Sequence, residues 1–496
     1  MNTRRVVAVN IADGSGNDLF SGRISVADGW ITRIEQGIFA PEEGDLFCSA
    51  DQILAPGFID AHGHSDLSVF AMPDALGKTA QGIAFEISGN CGLSPFPLTE
   101  HNRVHLQELY KQYGIELDWN TFGEYKARLQ ALDPALELIP QVGHNTLRAA
   151  VAGYEKKELS AAEKRAMADL LERELAAGAA GLSFGLLYTP GIYANMDEIV
   201  DLMRIVARHN KVCSVHLRSE SSQLCEALQE MLAAARAAGL KKLHLSHLKT
   251  AGKNNFHKIE SIFKALDSKD LRVTGDVYCY NASMTQLSVI LPAPYDEYDD
   301  VKNMRLLQDE ACFGEVLQKV RSERSADYWQ QVQLISAAAP FDRFNNMFLS
   351  KAAELLQITP EELFLQIVRH DAVGARAAFH TLSQENMERL AAHGSVVPGS
   401  DESARSLTTQ FGSSHPRGFG NHARYFALRQ KQNAPMAKII HEMSGAIAEI
   451  FDLPDIGSIS KDKRAVFTII EPEKAADRSS FAAPHCCAAG FKVLKF

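Results

Sequence analysis

The sequence predicts an α/β protein: a closed barrel of eight strand–helix units, with a small β unit assembled from both chain ends. Three observations predict it. Eight apolar, strand-like runs alternate with helical stretches, each run ends in polar or coordinating side chains, and short β-type runs with turn signals occupy both termini. Alternating strands and helices argue for a parallel sheet with helical crossovers, and eight such units close a barrel. At 496 residues the chain exceeds one module of roughly 100–200 residues. One large domain and a smaller one are expected.

Residues 1–56 read as short strands: VVAVNIA, a Gly/Asp-rich turn, GRISVADGWITRIEQG alternating around an Asp-Gly turn, then QILAPG. From about Leu54 the pattern changes. The eight runs are ILAPGFIDAHGH, IAFEISGNC, LELIPQVGH, AAGLSFGLLY, KVCSVHLRSE, KKLHLSHLK, LRVTGDVYCY and GSVVPGSDE. Between them lie stretches such as SAAEKRAMADLLERELAAG, where apolar residues recur at helical spacing and Gly178 sits near the end as a cap. The barrel is assigned to residues 57–450. Within it, residues 290–339, rich in Tyr, Asp, Glu and Lys, read as an insertion over the mouth and a candidate lid. Residues 451–496 return to short β-type runs (IGSIS, RAVFTII) that complete the sheet begun at the N-terminus.

Composition narrows the functions. With 51 Lys+Arg against 61 Asp+Glu, the net charge of −10 provides no basic field for a phosphate backbone, so nucleic acid is not an expected partner. No apolar run approaches the roughly 20 residues that span a bilayer, and no signal segment is evident, which makes the cytoplasm the expected location. The 8 cysteines are sparse and irregularly spaced, as reduced thiols are, not a disulfide framework.

The chemistry lies at the strand ends, which a barrel gathers around one mouth. His62 and His64 alternate on a strand and share a face, with Gly63 between them allowing close backbone approach. Cys91 ends the second run after Ser88, Gly89 and Asn90. His216 and His247 end the fifth and sixth. Singly, each has an ordinary reading: a buried thiol, or a satisfied core or surface histidine. Four imidazoles and one thiolate converging on one mouth call instead for a cation, and this nitrogen–sulfur mixture favours Zn²⁺. Asp401, in VVPGSDES, supplies a carboxylate that either caps a helix or faces the ion, where it serves as general base in metal-assisted hydrolysis. Lys249, Arg417 and Tyr278 are candidates to hold a substrate carboxylate. Tyr188 and Tyr193, in LLYTPGIYAN, are candidates to line the pocket. Arg218 and Glu220 read as a pair that fixes the His216 ring.

PGFIDAHGHSD, EISGNCG, HLRSE, LSHLKTAG, DVYCY, GSDES and HPRGFG, in that order across most of the chain, resemble the amidohydrolase superfamily. Within it they are most similar to the D-aminoacylase (N-acyl-D-amino-acid deacylase) branch. The resemblance implies a (β/α)₈ barrel joined to a small β-sandwich built from both termini. It also implies a zinc centre in which Cys91 bridges where many relatives use a carboxylated lysine; the fourth run, GLSFGLLY, contains no lysine. By the same match Cys91, His216 and His247 hold the tighter zinc, and His62, His64, Cys91 and Asp401 form a second, weaker position. The implied activity is zinc-dependent hydrolysis of N-acyl-D-amino acids, small molecules, to a carboxylate and a free D-amino acid. Two alternatives stand beside it: a cyclic amide hydrolase of the dihydroorotase or hydantoinase kind, and a non-catalytic barrel scaffold. The chain departs from the branch at Cys279, where proline is general, and at Met284, within the usual Gly-Ser-Thr. Its tail, CCAAGFKVLKF, departs as well.

Overall fold

The computed structural model describes residues 4–408 and 410–496. The eight predicted runs are the eight barrel strands. They are Phe58–Asp60, Ile83–Ser88, the segments Glu137–Pro140 and Val142–Gly143, Gly181–Gly185, Val212–His216, Lys242–Leu245, Arg272–Val277 and Val396–Pro398. Neighbours pair in parallel from the first strand to the eighth. The eighth returns to the first through the Ala61 N–H to Pro398 O bond at 3.2 Å and the Asp401 N–H to His62 O bond at 2.7 Å. The strands are buried almost end to end, as expected for parallel sheet covered by helices.

The helices begin where the sequence places caps. Ser160 and Glu163 form a reciprocal capping box before Ala161–Ala176, and Asn195 caps Met196–Arg208. Gly178, at φ +109°, turns the chain just past the end of the first of these. Met196–Arg208 buries Ile199, Leu202, Met203, Ile205 and Val206 against the barrel.

Strands from both termini join in one seven-stranded sheet around an apolar core of Val6, Ile24, Ile31, Leu54 and Phe467. The unusual tail closes it: Phe491–Lys495 pairs antiparallel with Val466–Ile470, which in turn pairs with Ile53–Pro56.

The insertion is longer than the 290–339 read from composition. Ser283–Gln286, Val332–Ser336 and Arg376–Phe379 form an antiparallel sheet, packed with Glu310–Glu323, Leu349–Leu356 and Pro360–Asp371 around a separate core that includes Trp329, Leu334 and Phe364. Two of these helices lie C-terminal to residue 339. Their amphipathic pattern is that of a barrel crossover helix, so periodicity alone does not separate them from the barrel.

Candidate metal and catalytic centre

Strand alternation puts His62 and His64 on the mouth. Beneath their turn, Gly63 packs so closely that a Cβ would fall 2.0 Å from Cδ of Glu86. Glu86 cannot withdraw. It is fully buried and holds Lys78 Nζ at 2.8 Å, the Ser65 N–H at 2.9 Å and the Ser65 hydroxyl at 2.7 Å. Gly63→Ala is therefore expected to cost about 1–3 kcal/mol through overpacking and to shift both histidines. A lower Tm together with reduced zinc binding is the check.

Three of the four remaining donors arrive from strand ends in conformations that L-residues rarely adopt. Cys91 (φ +53°), His247 (φ +36°) and Asp401 (φ +53°) all lie in the left-handed region. Each such residue costs on the order of 1–3 kcal/mol and persists only where its surroundings over-determine it. Strain at three convergent donors marks this rim as a site.

Two groups of donors result. Cys91, His216 and His247 present ligand atoms all within 4.8 Å of one another, and so do His62, His64, Cys91 and Asp401, which makes Cys91 common to both. Cys91 Sγ lies 3.3 Å from His247 Nε2 and 3.4 Å from His62 Nε2. His64 Nε2 is 3.2 Å from Asp401 Oδ1. Among the described residues, both ring nitrogens of His216 are buried with no hydrogen-bond partner. Such orphaned imidazole beside a thiol is costly unless a ligand completes it, and the donor set has the nitrogen–sulfur character of a zinc site.

Partners on the far side of two of the rings, His62 and His247, fix their orientation, as is usual for metal-binding histidine. His62 Nδ1 faces Asp276 Oδ2 at 3.2 Å, and the same carboxylate accepts from the His247 N–H at 3.0 Å and meets His244 Nε2 at 3.0 Å. His247 Nδ1 faces Glu220 Oε1 at 3.0 Å. Glu220 also receives Lys249 Nζ at 2.7 Å. The expected Arg218–Glu220 pair is not formed. Arg218 binds Glu230 at 3.0 Å and donates to backbone carbonyls of Ile192 and Ala194. Residues two apart in an irregular segment need not share a face, and Glu220 turns inward to the Lys249 charge.

Charge sets the protonation states. Burial favours the neutral thiol of Cys91, but the positive rings of His247 and His62 outweigh it and hold the thiol well below its ordinary range. Burial likewise opposes ionisation of Asp401, yet Arg417, with Nη1 2.7 Å from Oδ2, and then His247 keep its carboxyl well below the usual range. Burial pushes the Tyr278 phenol up to about 12 despite the Lys249 and Arg417 charges, so it remains an O–H donor.

The structure also places the candidate substrate residues. A cavity of about 660 Å³ over the site is lined by Tyr188, Lys249, Tyr278 and Arg417, together with His64, Cys91, His216, His247 and Asp401. The Tyr278 hydroxyl is buried and has no hydrogen-bond partner among the described residues, with the Arg417 guanidinium stacked 4.7 Å from its ring centre. Tyr188 lies edge-on to His216 and its hydroxyl meets Thr285 Oγ1 at 3.2 Å. Tyr193 is not among the residues lining this cavity: its hydroxyl donates to the Glu297 carbonyl, tying the barrel to the insertion. His144 is also absent from the rim, its Nε2 facing Glu198 at 2.9 Å.

Sequence reasoning missed the fully buried Lys78, which bridges Asp60 at 2.6 Å and Glu86 at 2.8 Å. The available signal was Asp60 itself, which shares a strand face with His62 two residues on.

A barrel whose mouth gathers these donors belongs to the metal-dependent hydrolases by architecture, and the chain is a member of the amidohydrolase family, whose model matches residues 50–309. It is similar to N-acyl-D-glutamate deacylase of Alcaligenes xylosoxydans xylosoxydans (26% identical, covering 97% of this chain and 90% of the relative). It is also similar to D-aminoacylase of the same organism (28% identical, covering 88% and 82%). Among solved structures, N-acyl-D-glutamate deacylase of Bordetella bronchiseptica, complexed with zinc and a phosphonate mimic of the tetrahedral intermediate, superposes with a TM-score of 0.81. It is 25% identical, covering 99% of this chain and 94% of that one.

Proposed function

We propose that this protein is a zinc-dependent hydrolase that cleaves the amide bond of N-acyl-D-amino acids, giving a carboxylate and the free D-amino acid. The observation that carries the reading is the convergence of Cys91, His216 and His247 beside Asp401 in a chain alike over nearly its whole length to deacylases of D-amino acids. In this reading Cys91, His216 and His247 hold the tighter ion, while His62, His64, Cys91 and Asp401 form the weaker position. When bound there, zinc supplies a Lewis acid that polarises the acyl carbonyl and acidifies water.

The chain's own residues do the rest. Asp401, ionised at neutral pH, takes a proton from the attacking water and returns it to the departing amine, which is too basic to leave as an anion. Arg417 and the unpartnered Tyr278 hydroxyl are placed to hold the substrate carboxylate or the developing oxyanion. Lys249, already committed to Glu220, orients His247 and adds positive charge at the same wall. Residues 1–56 with 451–496 form the small domain, and the insertion serves as a lid on the barrel of residues 57–450. The substrate is a small molecule, with neither nucleic acid nor membrane as partner, and the enzyme works in the cytoplasm. The net charge of −10 is in keeping with this, and among the described residues no helix is long and apolar enough to cross a membrane.

The test is hydrolysis of paired N-acetyl-D- and N-acetyl-L-amino acids, with zinc measured on the same sample. Turnover of D-substrates, abolished by a chelator and restored by zinc, is expected. Activity confined to L-substrates overturns the reading.

A further inference from the structure

Asp276 stands near the end of the seventh strand, Arg272–Val277, fully buried and not among the residues that line the cavity. It does not face substrate, yet donors from three other residues converge on its carboxylate. Oδ2 faces His62 Nδ1 at 3.2 Å and His244 Nε2 at 3.0 Å, and Oδ1 accepts the His247 N–H at 3.0 Å. Gly399 shuts the carboxylate in: a Cβ there would fall 2.4 Å from Asp276 Oδ1 and 2.7 Å from Cβ of His62. The backbone takes part as well, because the Asp276 carbonyl accepts the Leu248 N–H at 2.8 Å. Asp276 thus pins the chain on both sides of the left-handed turn at His247, where φ is +36°.

An ionised carboxylate only accepts hydrogen bonds, so both rings on Oδ2 donate. His62 then carries its proton on Nδ1, and its lone pair lies on Nε2, which is 3.4 Å from Cys91 Sγ and 3.7 Å from Asp401 Oδ1. His244 donates through Nε2 and leaves Nδ1 to accept from the Thr274 hydroxyl at 2.9 Å. Resting on the two-position zinc reading proposed above, we infer that Asp276 is a positioning residue serving both ions: it fixes His62 in the tautomer that can ligate the weaker one and holds the backbone turn that aims His247 at the tighter one. The two services use different oxygens, so a substitution can separate them.

Asp276→Asn does so. The His247 N–H requires an acceptor, so the asparagine oxygen takes the place of Oδ1 and the amide N–H₂ turns to the two rings. His62 Nδ1 must then accept, which moves the ring proton to Nε2 and removes the lone pair that the weaker ion needs. His244 adjusts without loss, because an Nδ1–H can donate to the Thr274 hydroxyl. Zinc affinities of parent and variant are measured by calorimetric titration of the zinc-free proteins in the presence of a competing chelator, with Tm read alongside. In the variant the second zinc is expected to bind about 10–100-fold more weakly, the usual effect of losing such an outer partner, while the first binds within a few-fold of the parent. His62→Gln is expected to weaken the second zinc too, and the double variant no further than the more affected single one, because both act through one ring. Unchanged affinity for the second zinc, equal weakening of both, or additive losses in the double variant overturn the inference. A readout that needs no change at position 276 is the tautomer itself. In zinc-loaded parent carrying isotope-labelled histidine, the ring resonances absent from His62→Gln are expected to show the proton on Nδ1, and a proton on Nε2 overturns the inference. A parent that binds a single zinc overturns it as well and leaves the deacylase reading standing; a parent that binds none overturns both.

Discussion

Asp401→Asn is expected to lower kcat/KM by about a hundredfold to ten-thousandfold, the range that a positioned acid–base group contributes, while about one zinc per chain stays bound. The two halves of this expectation come from different parts of the geometry. Asparagine keeps the shape of the side chain but cannot take a proton from water at neutral pH. The group formed by Cys91, His216 and His247 does not include residue 401, so the tighter ion keeps its protein donors. The substitution also removes the negative charge that Arg417 faces at 2.7 Å, and an uncompensated buried guanidinium destabilises. Tm must therefore be read beside kinetics and metal content. A folded, zinc-bound variant without activity supports the assignment of Asp401 as base. Near-normal activity refutes it, and loss of zinc moves Asp401 into the tighter ligand set.

The donors of this centre were legible because a parallel barrel repeats one rule: the C-terminal end of every strand faces the mouth. His62, His64, Cys91, His216, His247 and Asp401 each stand at such an end, so sequence position translated directly into spatial convergence. His144 also follows a strand, but the third strand ends one residue before it and a helix begins there, carrying the ring to Glu198. Tyr193 ends a single 3-10 turn, Gly191–Tyr193, too short for periodicity to fix its direction. Its hydroxyl is captured by the Glu297 backbone of an insertion more than 100 residues away in sequence. Glu220 was read with its near neighbour Arg218, whereas its partner Lys249 comes from the next strand end. Local spacing carries no information about such pairs.

Lys78 is the plainest case of a residue that sequence reasoning missed, and its replacement is expected to have the largest effect on stability. It lies in a short helical turn, fully buried, with Nζ 2.6 Å from Asp60 Oδ2, 2.8 Å from Glu86 Oε2 and 2.6 Å from the Ser400 hydroxyl. Asp60 also accepts the Ser400 N–H at 2.8 Å and the His62 N–H at 3.2 Å. One ammonium thus ties the first, second and eighth strands together directly beneath His62 and Asp401. Burial favours its neutral form, but the charges of Asp60 and Glu86 outweigh this and raise its pKa, so it stays charged. Lys78→Met preserves length and removes the charge, leaving two carboxylates in a dry site. Breaking a buried network from one side costs about 3–5 kcal/mol. A much lower Tm is expected, with weaker zinc binding because His62 and Asp401 lose their common anchor. Adding Glu86→Gln removes one of the stranded charges and is expected to recover part of the Tm. If the single variant keeps the Tm and zinc affinity of the parent, the network is not what holds the two strand ends in register.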